Sequence, residues 1–209
     1  MKNYIYFEST LKRLGDIVGS ILAILVLFPV FLIVALCIKI EDYDGKIIFK
    51  QNRIGHQGKI FQIYKFRTMY KNAEKQLKKD KSLYEKYKNN GYKLSKNEDF
   101  RITRVGKFLR KTSLDELPQF FNVLKGNMSL VGPRPIVEAE LDEYGTSSCL
   151  FTRMKPGLTG AWQVVGRGKI GYPKRIGIEL SYLSHASVLY DFKIMFLTIF
   201  KVLKREGAH

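Results

Sequence analysis

The feature that most constrains this chain is an apolar segment, residues 17–38, which contains 22 consecutive residues without a charged side chain. As a straight α-helix it would reach about 33 Å, because each residue adds about 1.5 Å. The hydrocarbon core of a bilayer is about 30 Å thick, so the segment is long enough to enter or cross a membrane. A secretory signal would end at a small-residue cleavage site, whereas this segment leads into Lys39, so we expect it to be retained.

Pro29 lies near the middle of this segment. A proline inside a helix removes one backbone hydrogen bond, here to the carbonyl of Leu25, and its ring crowds the preceding turn. We therefore predict a membrane break at Pro29 that leaves arms of about 18 Å and about 14 Å, each reaching about halfway through the bilayer. Such a re-entrant helix would return both of its flanks to the same side of the membrane.

The distribution of positive charge favours the re-entrant interpretation. The chain carries a formal net charge of +17, and basic residues flank the apolar segment on both sides, with Lys12 and Arg13 before it and Lys39 after it. Basic flanks are typical of the cytoplasmic side of bacterial membranes, so we expect both flanks there. A kinked transmembrane helix and a buried helix of a soluble domain are the two alternatives.

The remaining residues predict one further unit. We predict that residues 1–40 form the membrane anchor and that residues 41–209 form a mixed α/β domain dominated by helices. Residues 46–67 contain two strand-like runs around a turn at residues 52–59, which predicts a β-hairpin. The polar, lysine-rich residues 70–89 predict an exposed helix.

The C-terminal region predicts an amphipathic helix. Its apolar side chains follow the i, i+3, i+4, i+7, i+8, i+11 spacing of one helical face: Phe192, Met195, Phe196, Ile199, Phe200 and Leu203. Such a helix is suited to lie in the membrane interface with its aromatic rings among the acyl chains. The alternative is a helix at the edge of the domain whose apolar stripe faces the core.

A basic run at residues 101–111 is followed by two adjacent carboxylates, Asp115 and Glu116. The run predicts a helix, and positive charge of this extent indicates a nucleic acid, an anionic membrane or a phosphorylated substrate as partner. The sequence has no zinc-finger or ribonucleoprotein motif, and the two carboxylates would repel the phosphates of a nucleic acid. We therefore expect no nucleic-acid partner.

The two carboxylates allow two interpretations. Ser113 and Glu116 have the spacing of a capping box, but Pro118 would then be the fifth helical residue, where it disturbs the first turns. In the second interpretation a helix N-terminus and nearby arginines keep Asp115 ionised, so that it can act as a nucleophile or a magnesium ligand. Glu116 would then hold the metal or orient Asp115.

A second site of phosphate chemistry is predicted at Pro133, Arg134 and Pro135. Two prolines restrict the backbone on either side of one arginine, which would pre-organise the guanidinium for a phosphate or a flat base. A rigid turn that merely carries a surface arginine is the alternative.

These segments together resemble the bacterial sugar transferase family, the monotopic phosphoglycosyl transferases that start glycan assembly on a polyprenol carrier. The resemblance is carried by the apolar segment with its central proline and by four further segments: residues 64–69, 101–135, 155–167 and 190–194. It implies a membrane-associated catalytic domain at the cytoplasmic face of the bacterial plasma membrane. The product would initiate capsule, exopolysaccharide, O-antigen or glycoprotein assembly.

The resemblance also implies a chemistry for the two carboxylates. Asp115 would attack the β-phosphate of a UDP-sugar, release UMP and hold the sugar phosphate until polyprenyl (undecaprenyl) phosphate accepts it. Glu116 would assist through Mg²⁺ and positioning. The predicted phosphate- and nucleotide-binding residues, by the same resemblance, are Arg110, Lys65, Arg67, Pro133, Arg134 and Pro135.

The chain departs from the family pattern at Phe28, where relatives often carry a serine. It departs again at Glu179 and at His185, Ala186 and Ser187, where relatives often carry an aspartate and then Asn-Trp-Ser. The resemblance leaves open the sugar, with galactose, glucose and several N-acetylated sugars as candidates, and also leaves open a homo-oligomer. Two other classes compete with it. One is a membrane-tethered protein that binds nucleic acid or anionic lipid, and the other is a catalytically silent scaffold, against which the intact acid pair argues.

Overall fold

Helices make up most of the computed structural model, which describes residues 9–89, 94, 99–166 and 170–204. The α-helices in the described residues are α1 Thr10–Glu41, α2 Ala73–Lys79, α3 Lys81–Asn89, α4 Arg104–Thr112, α5 Gln119–Leu124, α6 Glu138–Leu141, α7 Ser148–Thr152, α8 Ala161–Gly166, α9 Lys174–His185 and α10 Val188–Leu203. Together with two small sheets they confirm the predicted helix-dominated α/β architecture.

The predicted β-hairpin is confirmed. Strands β1 (Ile48–Ile54) and β2 (Ile60–Phe66) pair antiparallel, with Ile48 opposite Phe66. The turn is shorter than predicted, because β1 continues to Ile54 and a 3₁₀ turn over His56–Gly58 reverses the chain. A second sheet was not anticipated: the short strands β3 (Ser129–Val131) and β4 (Gly157–Thr159) pair in parallel.

The region predicted as one exposed helix contains two helices, α2 and α3, separated at Asp80. The backbone of Asp80 is extended, and its Oδ1 accepts a hydrogen bond of 3.0 Å from the backbone N–H of Leu83. An acceptor in this position satisfies an N–H at a helix start, so Asp80 ends one helix and begins the next. The single-helix prediction is therefore wrong at this residue.

Helix α1 contains the apolar segment and is 32 residues long. Pro29 lies inside it, and helical backbone continues through the proline to Glu41. The proline therefore removes one hydrogen bond of α1 without ending the helix, and the membrane break at Pro29 stays a prediction. The re-entrant course of the segment and its place in a membrane stay predictions.

The N-terminal end of α1 is fixed to the rest of the chain by buried charge. Lys12 Nζ lies 2.6 Å from Asp191 Oδ2 on α10, and both side chains are buried. Arg13 donates hydrogen bonds of 2.7 Å to the main-chain carbonyls of Val123 and Leu124 at the end of α5. Removal of one partner from a buried ion pair costs about 3–5 kcal/mol, so this end of α1 is firmly held.

The C-terminal end of α1 packs on the same unit through apolar contacts. The centres of the Phe31 and Phe121 rings are 6.0 Å apart, and Phe121 belongs to α5. Val34 and Ile38 are buried. The middle of the helix has a different environment, because its large apolar side chains are exposed: Ile21, Leu22, Leu25, Val26 and Phe28. Both ends of α1 therefore contact one folded unit while its centre contacts little of it.

Helix α10 buries the face that carries Asp191 and Ile194 and exposes most of the predicted apolar stripe. Phe192 is 61% exposed and Phe196 is 62% exposed, and Met195 is the member of the stripe that packs against the core. The alternative in which the stripe faces the core is therefore wrong for most of its residues.

Strands β3 and β4 approach so closely at Gly157 that a side chain does not fit. A Cβ atom at Gly157 would lie 2.1 Å from the backbone nitrogen of Gly132 and 2.3 Å from the carbonyl oxygen of Thr159. We expect Gly157→Ala to lower the free energy of unfolding by about 2 kcal/mol or more, as other substitutions that force backbone apart do. Thermal unfolding measures this effect.

The matched control is Gly177→Ala in α9, where an added Cβ would meet nothing within 4 Å. Alanine has the higher helix propensity, by about 1 kcal/mol, so this variant should be as stable as the parent protein or more stable. Equal melting temperatures for the two variants would contradict the close approach of β3 and β4.

Candidate active site

The two adjacent carboxylates lie in a short turn between α4 and α5. Ser113 adopts a left-handed backbone conformation with φ 58°, which ends α4, and residues Leu114–Glu116 form a 3₁₀ turn. The predicted capping box is wrong, because Ser113 makes no side-chain capping hydrogen bond and lacks the extended backbone of a helix N-cap. Pro118 comes directly before α5, which begins at Gln119, so it does not disturb a helix.

Lys65 on β2 faces both carboxylates of this turn. Its Nζ lies 3.0 Å from Glu116 Oε1 and 4.0 Å from Asp115 Oδ2. Asp115 is buried, so its interaction with the ammonium group is screened less than at an exposed site. The structure therefore brings three of the predicted site residues into one cluster.

Arg110, in the last turn of α4, is the second cation near Asp115. Its Nε donates a hydrogen bond of 3.0 Å to Thr68 Oγ1, which fixes the guanidinium. Burial lowers the pKa of Arg110, and the nearby Asp115 carboxylate acts in the opposite direction. Asp115 thus lies within electrostatic reach of two cations.

Arg67 pairs with a residue just beyond the end of α1. Its Nη1 pairs with the carboxylate of Asp42, and its Nη2 donates a hydrogen bond of 2.8 Å to the Asp42 carbonyl. Burial pushes the pKa of Asp42 upward, but hydrogen bonds from the Lys71 backbone and from Arg67 outweigh it and leave that pKa below its usual value. These contacts of Arg67 fix the end of α1.

The segment formed by residues 131–136 is buried except at Arg134 and presents that side chain. Pro133 and Pro135 hold its backbone, and the carbonyl of Pro133 accepts a hydrogen bond of 2.8 Å from the backbone N–H of Gly157. The N–H of Arg134 donates a hydrogen bond of 3.1 Å to the carboxylate of Glu179. These hydrogen bonds hold the backbone that carries the Arg134 guanidinium.

An open surface cleft joins the carboxylate turn to this segment. Lys65 and Glu116 line one part of it, and Arg134 and Pro135 line another. Four of the predicted site residues thus border one space. Three polar residues that were not predicted also line the cleft, namely Arg53, Gln119 and Gln163.

Weak signals for these three residues exist in the sequence. Gln119 directly follows Pro118, Gln163 lies within residues 155–167 of the family resemblance, and Arg53 occupies the predicted hairpin. Neither the hairpin pattern nor the helix pattern tells which face meets the cleft, so the sequence alone does not select them.

Arg53 adds to the positive charge of the cleft. Its Nη1 donates a hydrogen bond of 3.3 Å to the carbonyl of Pro135, and its Nη2 donates one of 2.7 Å to Gln51 Oε1. Burial lowers the pKa of Arg53, and the neighbouring Arg134 lowers it further. Three cations and one carboxylate, Glu116, line the cleft, which therefore suits an anionic ligand.

The carboxylate turn has the chemistry of a magnesium ligand pair. Asp115 and Glu116 supply oxygen atoms, the donor type that Mg²⁺ prefers. Among the residues that the structure describes, no group of three or more His, Cys, Asp or Glu side chains could hold a metal ion. Mg²⁺ usually binds one or two carboxylates together with water and substrate phosphates, so this pair fits an ion that shares its ligands with a phosphate substrate.

Comparison with known proteins identifies the class to which this fold and site belong. A sequence model of the bacterial sugar transferases matches residues 7–205, and the chain therefore belongs to the bacterial sugar transferase family. The family that the sequence resembles is thereby confirmed.

Individual relatives agree with this assignment. The exopolysaccharide production protein ExoY of Sinorhizobium fredii is 42% identical over 95% of this chain and 88% of its own length. The undecaprenyl-phosphate galactose phosphotransferase of Salmonella typhimurium is 44% identical over 95% of this chain and 42% of its own length. The UDP-glucose:undecaprenyl-phosphate glucose-1-phosphate transferase of Escherichia coli is 41% identical over 95% of this chain and 41% of its own length. The chain thus spans most of ExoY and less than half of the two longer relatives.

Proposed function

We propose that this protein transfers a sugar-1-phosphate from a UDP-sugar to polyprenyl (undecaprenyl) phosphate and releases UMP. The observation that carries the proposal is the placement of Asp115, 4.0 Å from Lys65 and within electrostatic reach of Arg110, next to a cationic cleft lined by Arg134. The names of the Salmonella and Escherichia relatives describe transfer of galactose phosphate or glucose phosphate to the same lipid carrier. The exopolysaccharide role of ExoY supports a place at the start of glycan assembly.

In the first half-reaction, an oxygen of the Asp115 carboxylate attacks the β-phosphorus of the UDP-sugar. A bond forms between that oxygen and phosphorus, and the bond from phosphorus to the bridging oxygen breaks. The electron pair leaves with UMP, and the sugar phosphate stays on Asp115 as an acyl phosphate. Lys65 and Arg110 lower the barrier by reducing the negative charge that the attacking carboxylate meets.

In the second half-reaction, a phosphate oxygen of the polyprenyl phosphate attacks the same phosphorus. The bond between phosphorus and Asp115 breaks, the carboxylate is regenerated, and the product is a sugar linked to polyprenyl diphosphate. Mg²⁺ bound by Glu116 and Asp115 would supply further positive charge at the diphosphate. The reaction is then ping-pong, because UMP leaves before the lipid substrate reacts.

The cleft suggests how the donor lies. Arg134 is held between Pro133 and Pro135 and would meet the uridine end of the UDP-sugar, while the diphosphate extends toward Lys65 and the carboxylate turn. A guanidinium is planar and always charged, so a fixed one can pair with a phosphate or stack on the flat base. Arg53 would contribute charge on the same wall of the cleft.

The contacts of both ends of α1 support a monotopic attachment, and the basic flanks favour the cytoplasmic face. In a straight helix Lys12 and Glu41 would be about 44 Å apart, more than the bilayer core is thick. Yet both ends of α1 pack against the same folded unit, which cannot lie on both sides of a membrane. A re-entrant course resolves this conflict, and the exposed stripe of α10 would then rest in the interface. The carrier phosphate at the bilayer surface would meet a donor that arrives from the cytosol.

Topology is testable with single cysteines at the exposed positions Thr10 and Tyr43, which flank the apolar segment. In a background with Cys37 and Cys149 replaced by serine, a membrane-impermeant thiol reagent should label neither position in intact cells. Both positions should react in inside-out vesicles, because both flanks lie on the cytoplasmic side. Labelling of one flank from outside the cell would show that α1 spans the membrane.

The function itself is tested by supplying the membrane-bound protein with UDP-galactose, UDP-glucose or an N-acetylated UDP-sugar. With undecaprenyl phosphate and Mg²⁺ present, one donor should give UMP and a lipid-linked sugar in equal amounts. The preferred donor then defines the sugar. Absence of UMP with every donor in this series, from a protein shown to be folded, would contradict the proposed function.

A further inference from the structure

Glu179 on α9 is a buried carboxylate with no role in the chemistry described above. It is 1% exposed, and its oxygens accept hydrogen bonds from three donors: the backbone N–H of Arg134 at 3.1 Å, Arg175 Nε at 3.3 Å and the hydroxyl of Tyr144. Burial raises the pKa of Glu179, whereas Arg175, Tyr144 and the Arg134 N–H act in the opposite direction. A buried charge of this kind is costly unless every partner is in place.

The hydrogen bond to Arg134 has a particular importance in this segment. Pro133 and Pro135 have no backbone N–H, so the N–H of Arg134 is the one backbone donor among these three residues. Glu179 therefore binds the only backbone donor that residues 133–135 offer. The neighbouring Pro135 carbonyl is bound from the other side by Arg53.

The side chain of Arg134 is held through the same group of residues. Its guanidinium carbon lies 5.7 Å from the centre of the Trp162 ring, and that of Arg175 lies 4.5 Å from the same ring. Trp162 Nε1 donates a hydrogen bond of 2.8 Å to the carbonyl of Ile170, which fixes the ring. Arg175 in turn lies against Glu179, so backbone and side chain of Arg134 rest on one connected network.

We propose that Glu179, supported by Arg175 and Tyr144, is a positioning residue that sets the affinity for the nucleotide part of the donor by fixing Arg134. This inference rests on the proposed function. Glu179, Arg175 and Tyr144 are absent from the cleft lining, whereas Arg134 is part of it, so the first three act through Arg134. The carrier lipid phosphate reacts after UMP has left, so its half-reaction should not depend on this network.

A double-mutant cycle between Glu179→Gln and Arg134→Ala tests the proposal, with the KM for the UDP-sugar as the main readout. Glutamine keeps the shape of the side chain and removes the charge that holds Arg175. We expect Glu179→Gln to raise KM about 10-fold while kcat changes less than about twofold. This result is expected when the lost interaction binds the ground state and the transition state equally well. In the Arg134→Ala background the same change should leave KM unaltered, because residues that act as one unit are not additive.

A second readout separates positioning from simple destabilisation. The covalent intermediate, formed first at saturating UDP-sugar, should transfer its sugar phosphate to undecaprenyl phosphate at the same rate in Glu179→Gln as in the parent protein. If Glu179→Gln does not fold, Tyr144→Phe replaces it, since this variant removes one donor to Glu179 and keeps the ring. Its increase in KM should be smaller, about threefold, and should also vanish in the Arg134→Ala background.

An equal KM increase in both backgrounds would overturn the proposal, because Glu179 would then act independently of Arg134. A parallel fall in melting temperature and in the transfer rate to the lipid would also overturn it, in favour of a structural role. These outcomes differ from failure of the proposed function, in which the parent protein itself releases no UMP from any UDP-sugar.

Discussion

Replacement of Asp115 by asparagine is expected to lower UMP release from the cognate UDP-sugar by about 10⁴-fold or more, as removal of a catalytic nucleophile does in other enzymes. Asparagine has nearly the same shape, but its neutral amide does not attack phosphorus. Asp115 lies 4.0 Å from the Lys65 ammonium and within electrostatic reach of Arg110, the two cations that would meet the donor phosphate. Steady-state release of UMP measures the effect.

The matched control for this variant is Asp142→Asn, which removes one negative charge from an exposed position. It should retain the parent rate, since Asp142 does not line the cleft. Equal melting temperatures of Asp115→Asn and the parent protein would show that the active-site variant is folded. Retained turnover in Asp115→Asn would then contradict the covalent mechanism.

Replacement of Lys65 by methionine should give the second largest loss, with kcat lowered by about 10²–10³-fold, the usual effect of removing one group that stabilises transition-state charge. The Lys65 ammonium lies 3.0 Å from Glu116 and 4.0 Å from Asp115, and methionine keeps most of the apolar length of the side chain. The loss should appear in kcat, because the Lys65 ammonium would stabilise the negative charge on the β-phosphate while its bonds form and break.

Lys50→Met is the control for this variant. Lys50 lies on β1 of the same hairpin, opposite Tyr64, and its Nζ is 5.4 Å from the centre of the Tyr64 ring. Since Tyr64 and Lys65 are neighbours on β2, Lys50 and Lys65 lie on opposite faces of the hairpin. It should retain the parent kcat and stability. If Lys65→Met and Lys50→Met lose activity to the same small extent, the positive charge at Lys65 has no special part in the reaction.

Local patterns were sufficient to predict several elements of the fold. The alternation of side chains in residues 60–66 predicted the second strand of the hairpin, and the helical spacing of Phe192, Phe196 and Ile199 predicted α10. Both patterns reflect short-range geometry, in which one face of an element meets the core and the other does not. The exposure of the α10 stripe was left open, because the pattern does not tell which partner covers an apolar face.

Contacts between residues far apart in the chain could not be predicted from the sequence. The family resemblance places Arg67 at the active site, and nothing in the sequence indicates its pairing with Asp42 at the end of α1. Arg53 lines the cleft through a hydrogen bond to Pro135, 82 residues further along the chain. Ser113 was a candidate helix cap, yet its left-handed backbone places it at the end of α4. In each case tertiary packing selected one partner among several that local chemistry allowed.

The sequence indicated the carboxylate pair itself but not the residues that surround it. Asp115 and Glu116 stood out in the sequence because they follow a basic run, and the structure places Lys65 next to both of them. The buried residues that hold Arg134, namely Glu179, Arg175, Tyr144 and Trp162, could not be recognised in the sequence. The one signal was that Glu179 departs from the family pattern. These residues and Arg134 come from four separate segments, and only the fold brings them together.

The most direct test of the account is to incubate the membrane-bound protein with its UDP-sugar and Mg²⁺ in the absence of any polyprenyl phosphate. Mass spectrometry of the intact protein and of its peptides should find one sugar phosphate bound at Asp115, together with an equal amount of free UMP. Addition of undecaprenyl phosphate should then remove the adduct. UMP release that occurs only when both substrates are present, with no adduct on Asp115, would contradict the covalent mechanism.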